Sequence, residues 1–214
     1  MNKKKVLAMV LALVLVCALS VTGTLAYLQA KTETPVVNTF VAAGGGKLIG
    51  DNGEFVLAEH KAAANTSGVY SLGTEEVTEN SYNVLPGMTI PKDPFIRITE
   101  KTSAPAYLYV EVVGTLDSTV YTYSIDSAWT QLSGVTGPNG GKVYVYSTVV
   151  TDTTDLTSIG ILKDNKIAVA DASDLKLGSN NTLSFYGYLA QASVGDSTGA
   201  ADIFKTVFMN TANP

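Results

Sequence analysis

Cysteine is almost missing from this chain of 214 residues: Cys17 is the single one. No disulfide framework and no cysteine metal site can be built from it, so stability must come from packing and hydrogen bonds. Histidine is as scarce, with His60 alone. A zinc site would need carboxylates for most of its ligands, and no HExxH is present. A Ser/His/Asp triad would also have to use His60, and no G-x-S-x-G elbow accompanies it. Charged residues make up only 15% of the chain, 14 Lys and Arg against 19 Asp and Glu, so the basic footprint of nucleic-acid binding is lacking. Asp152 with Asp155, and Asp171 with Asp174, are candidates for weak calcium binding, but neither pair follows an EF-hand pattern and solvated loop acids are the better reading. The inventory argues against an enzyme and implies neither cofactor nor metal.

Long apolar runs are also missing after the first one, which lies at the N-terminus. Lys3, Lys4 and Lys5 precede an uninterrupted apolar stretch at 6–19, and small residues follow to Ala26. Such a stretch spans only ~21 Å as a helix, short of the ~30 Å hydrocarbon core. Charge, length and exit fit a cleavable signal helix over 1–26, with Thr24 and Ala26 at the −3 and −1 places and the mature chain starting at Tyr27. The chain is therefore expected to be exported and to meet the membrane only through its uncleaved signal. Cys17 sits inside this segment, and Val16 before it is not the small residue a lipobox needs. Cleavage would remove three of the 14 basic residues, leaving 11 against 19 acids and a net charge of −8. LPGMT at 85–89 has the outline of a sortase signal, but it is internal, carries Met88 where Thr is needed and lacks a following membrane segment.

The remaining 188 residues suffice for one domain with a proper core. Residues 27–46 read as an arm: Val36, Val37, Asn38, Thr39, Phe40 and Val41 have strand composition and lead into the hinge Gly44-Gly45-Gly46. From 47 to 214 short strands alternate with turn chemistry. Strands are expected at 54–59, 69–72, 95–100, 106–113, 120–125, 143–150, 167–170 and 182–192, with a glycine-rich loop between the sixth and fifth of these bearing Gly134, Gly137, Gly140 and Gly141. Pro86-Gly87 presets a turn, and Pro91 and Pro94 confine their strand to an edge. Over 106–113 the alternation puts Leu108, Val110 and Val112 on one face and Tyr107, Tyr109 and Glu111 on the other. One helix is expected near the end, capped by Asp196 or Ser197 and running through Ala200, Ile203, Phe204 and Val207. This pattern predicts an all-β fold, an antiparallel β-sandwich with one short C-terminal helix.

Tyr-x-Tyr occurs four times, at Tyr107/Tyr109, Tyr121/Tyr123, Tyr144/Tyr146 and Tyr186/Tyr188. Each pair lies on one face of its strand, so neighbouring strands would build an aromatic patch. Such rings either pack on a half-buried sheet or form a ligand face; Tyr107, Tyr109, Tyr144, Tyr146, Tyr186 and Tyr188 are the candidates for contact with a polysaccharide.

Two segments carry a family resemblance. Gly23, Thr24, Ala26, Tyr27, Leu28, Lys31, Thr32, Asn38 and Phe40 resemble the signal and mature N-terminus handled by a SipW-type signal peptidase. Leu85, Pro86, Gly87, Ile90, Lys92, Pro94, Ile96, Ala106 and Tyr107 resemble the central motif of the TasA/camelysin family, although Met88 stands where Asp is usual and Glu100-Lys101 replaces the expected turn. Trp129 and Thr130, Tyr144 and Tyr146, and Gly187 to Gln191 fit as well. The resemblance implies a jelly-roll-like domain, secretion to the cell surface or biofilm matrix, and assembly with itself or related matrix subunits. Its mechanism would be strand donation, in which the arm at about 35–41 completes a sheet of the next subunit. It also raises a camelysin-like metallopeptidase activity, which His60 alone would have to serve.

Overall fold

Alternating apolar residues at 106–113 form the strand around which the others are arranged. In the computed structural model the described residues are 29–31, 48–49, 54–99, 102–151, 156–171, 181–193 and 199–209. Their strands are β1 Gln29–Lys31, β2 Phe55–Ala64, β3 Tyr70–Val77, β4 Thr89–Pro91, β5 Phe95–Ile98, β6 Ala106–Gly114, β7 Tyr121–Thr122, β8 Trp129–Thr136, β9 Lys142–Tyr146, β10 Ile159–Gly160, β11 Lys166–Val169 and β12 Leu183–Gln191. A short helix, α1 Ala200–Phe204, continues into a π turn over Lys205–Met209. The fold is mainly β, in three antiparallel sheets: β1-β12-β6-β9-β8, β10-β5-β2-β3 and β4-β11-β7.

The expected helix, turn and alternation are present, with corrections at several boundaries. Gly199, not Asp196 or Ser197, occupies the N-cap position, and it makes no side-chain cap bond; residues 196 and 197 lie outside the described residues, as does the signal helix. Between 120–125 and 143–150, where a loop was expected, Trp129–Thr136 is a strand. Only Tyr121–Thr122 of the preceding segment is strand. Gly87 has φ +77° and Met88 N–H donates to Leu85 O at 3.2 Å, the Pro-Gly turn that the sequence demands. Pro91 ends β4, an edge strand of its sheet, where its missing N–H breaks no interior ladder. Pro94, however, precedes β5, which lies between β10 and β2 and so is not the edge strand expected.

The ladder between β6 and β12 runs through nine residue pairs, from Leu183 opposite Gly114 to Gln191 opposite Ala106. Both of its faces are covered. On one, Leu108, Val110, Val112, Phe185 and Leu189 join Phe55, Leu57, Ile96 and Ile98 of β2 and β5, and Ile90, Ile167 and Val169 of β4 and β11, in one core. On the other, Tyr109, Tyr188, Ala190 and Val143 pack under Ile203, Phe204, Val207 and Phe208. The C-terminal segment is too short to be stable alone, so this apolar face is what holds it as a helix.

Glu111 points to the second face and is fully buried. Its Oε1 accepts from the backbone N–H groups of Asn139 (2.9 Å) and Gly141 (2.8 Å). Its Oε2 accepts from Asn139 Nδ2 at 2.9 Å and from the Tyr188 hydroxyl at 2.6 Å. The carboxylate thus stitches the β8–β9 hairpin to the β6–β12 ladder. A Cβ on Gly137 would overlap the Glu111 carboxyl, and one on Gly141 would sit 2.5 Å from Val112 O, so the loop closes this tightly only with glycine at both places. We expect Glu111→Ala to cost on the order of 3 kcal/mol, since it strands several buried donors. Gly141→Ala should lose about 1–3 kcal/mol through overpacking. Urea unfolding of both variants beside an exposed control such as Thr130→Ala checks the two values.

Candidate functional site

The chain just after the expected cleavage point adds a strand to the sheet. Gln29, Ala30 and Lys31 pair antiparallel with Ala190, Leu189 and Tyr188 of β12. β12 contributes nine residues to its ladder with β6, and β1 lies against three of them. This pairing starts earlier in the arm than the segment expected to act: Val36, Val37, Asn38, Thr39, Phe40 and Val41 lie outside the described residues, as do Ala26 and Tyr27 at the expected cut.

The tyrosine pairs do not share a face. Tyr144 lies opposite Val110 and Val145 opposite Tyr109, so the β9 tyrosines take the opposite side from those of β6. Tyr144 and Tyr146 pack against the inter-sheet core, Tyr146 on Trp129 with ring centroids 5.3 Å apart. Tyr107, Tyr109, Tyr186 and Tyr188 lie on the other side, under or beside the C-terminal segment. Tyr109 and Tyr188 have no exposed surface, and their rings meet Phe204 edge-on at 5.1 and 5.3 Å. The expectation of one open aromatic ligand face is therefore corrected: the strand register divides it, and the helix covers its centre. Burial drives the Tyr109 phenol well above its ordinary range, with a smaller contribution from Tyr107. Burial does the same to Tyr188, reinforced by its hydrogen bond to Glu111 and by that carboxylate's charge.

His60 and Glu59 are adjacent on β2 and point to opposite faces. His60 Nδ1 lies 2.6 Å from Asp93 Oδ2, and its backbone N–H donates to Asp93 Oδ1 at 2.9 Å. Phe95 packs against the imidazole at 5.2 Å. The arrangement pins the segment between β4 and β5 to β2. Among the described residues no three His, Cys, Asp or Glu side chains converge to hold a metal ion. Asp171 is exposed, and Asp152, Asp155 and Asp174 lie outside the described residues.

On the inner side, Glu59 forms a buried pair with Lys92, Oε2 to Nζ at 2.7 Å. The pair lies in a cleft of about 380 Å³, lined also by Tyr82, Ile90, Tyr121, Ile167 and Leu183. Tyr82 donates to Pro91 O at 2.7 Å. Burial, and then the charges of Glu59 and Asp93, raise its phenol well above the ordinary range. The resemblance motif did mark Lys92, but not its partner. Glu59 sits in an unremarkable strand, and only the pairing of β2 with β5 brings the two together.

Tyr82, Tyr109 and Tyr188 should therefore resist ionisation. In an alkaline titration followed at the phenolate absorbance, these three of the 11 tyrosines should ionise only as the chain unfolds. The sign follows from linkage: above the ordinary phenol value of 10.0 the unfolded chain releases protons that the folded one keeps, so stability falls as pH rises. Tyr109→Phe and Tyr188→Phe should each remove one late-titrating group.

Comparison with family models, with curated proteins and with solved structures finds no match to this chain.

Proposed function

We infer that this is a secreted, non-enzymatic structural protein of the cell surface or extracellular matrix, a jelly-roll-like β-sandwich of the TasA/camelysin kind that assembles by N-terminal strand donation. The observation that carries this reading is the ladder of Gln29, Ala30 and Lys31 on the edge of β12. The segment that signal cleavage would release is competent to pair with that edge. A contact of this kind can be made within one chain or exchanged with the next, because identical elements dock on identical edges. Backbone hydrogen bonds supply the affinity, and an exchanged arm joins subunits head to tail, which builds filaments. A SipW-type peptidase is the switch: while the signal remains in the membrane, its arm is tethered and cannot reach a neighbour.

The test compares the chain from residue 27 with an Ala30→Pro/Lys31→Pro variant, in which the ladder loses its donors. Sedimentation velocity and negative-stain electron microscopy should show filaments from the parent and single particles from the variant. A parent that stays monomeric at high concentration would overturn self-assembly as its role.

A further inference from the structure

The two buried glutamates among the described residues are treated differently. Glu111 has both carboxylate oxygens satisfied, by Asn139, Gly141 and Tyr188. Glu59 is equally inaccessible, yet only its Oε2 has a partner, Lys92 Nζ; Oε1 is buried with none. Buried carboxylate oxygens are ordinarily hydrogen-bonded, so an orphan of this kind needs a physical reason. Here the reason lies next to it, because Glu59 and Lys92 both line the 380 Å³ cleft. That volume falls at the small end of the roughly 300–1,000 Å³ of ligand pockets.

The charge beside Oε1 selects the occupant, because Glu79, the other carboxylate lining the cleft, is exposed to water. Lys92 already neutralises Glu59, so an ammonium ion brought to Oε1 would be buried beside a second cation. A neutral donor meets no such penalty. Lys92 carries three N–H donors, of which Glu59 accepts one. A hydroxyl group admitted by a rotation of the buried Glu59 carboxylate toward the cleft can therefore donate to Oε1 while accepting from Lys92. The walls combine the apolar side chains of Ile90, Ile167 and Leu183 with the tyrosines Tyr82 and Tyr121, and Ser81 lies on the exposed rim. Hydroxyls on an apolar carbon frame are the chemistry of a sugar ring.

We propose that this cleft is a saccharide-binding site, in which Glu59 and Lys92 jointly grip one hydroxyl of a neutral mono- or disaccharide unit. The site is independent of the tyrosine face and of strand donation. It would let a matrix protein hold the polysaccharide around it while its edges remain engaged elsewhere.

The experiment titrates glucose, N-acetylglucosamine and cellobiose into the exported protein, with binding read from amide chemical shifts and calorimetry. Saturable binding with Kd on the order of 1 mM or tighter is expected for at least one sugar, with shifts centred on Tyr82, Ile90 and Leu183. Glu59→Gln should weaken it at least tenfold. Because that variant leaves Lys92 buried without a counter-charge and can unfold, Ser81→Trp supplies the second arm: it crowds the rim from an exposed position and should also abolish binding. Binding unchanged in Ser81→Trp would place the site elsewhere and overturn the proposal. So would the absence of saturation by all three sugars, or saturation by butylamine alone. The Ala30→Pro/Lys31→Pro variant should bind sugar as the parent does, which keeps this outcome separate from that of the assembly test.

Discussion

The nine-pair ladder between β6 and β12 is the constraint on which the other elements depend. It is buried on both sides, so its strands had to be apolar in nearly every position, and the two sides acquired separate cores. One side collects the other sheets. The other side is closed by the C-terminal helix and π turn. That closure explains why a segment with five α-helical residues and no side-chain cap is ordered: Ile203, Phe204, Val207 and Phe208 are held by Tyr109 and Tyr188, not by intrinsic helix stability.

Polar groups inside this ladder fix its neighbours in place. Hydrophobic burial is non-directional and would tolerate β8 and β9 shifted along β6. The buried Glu111 carboxylate does not, since its oxygens must meet the N–H groups of Asn139 and Gly141 together. A shift of β9 by one residue would turn its own side chains to the opposite faces and carry Asn139 and Gly141 away from Glu111, leaving buried polar groups without partners. The bulge within β8, where the register with β9 shifts between Gln131 and Thr136, lies close to this loop and absorbs the mismatch. Specificity here rests on one carboxylate and two glycines.

What was legible in the sequence was local. Alternation in 106–113, the Pro86-Gly87 turn and the apolar period through Ala200, Ile203, Phe204 and Val207 each depend on residues close in the chain, and each has its structural counterpart. What failed depended on register. The four Tyr-x-Tyr pairs look equivalent in one dimension, but whether Tyr144 shares a face with Tyr109 is decided by which residue of β9 lies opposite it, and Val145 does. The β8 strand was hidden for a related reason: Gly134, at φ +69°, reads as loop chemistry but serves the bulge that lets an edge strand bend. Glu59 and Lys92 were illegible as a pair because 33 residues separate them and nothing in either segment signals the other.

The treatment of sheet edges gives the assembly proposal its physical setting. An exposed edge is a template for unwanted pairing, and proteins shorten, bend or charge it. Here β10 and β7 have two residues and β4 has three. β8 is interrupted by its bulge. β3 carries Glu75 and Glu76, engaged with Lys61 and Arg97. The β12 side is treated in none of these ways: its strand is long, regular and apolar, and it receives the chain's own N-terminal segment over three residues. A short ladder has little to hold it, because each pair contributes only a fraction of a kcal/mol to about 1 kcal/mol. On the proposed reading, exchange of that ladder between neighbouring copies would make release of the arm the step at which assembly is controlled.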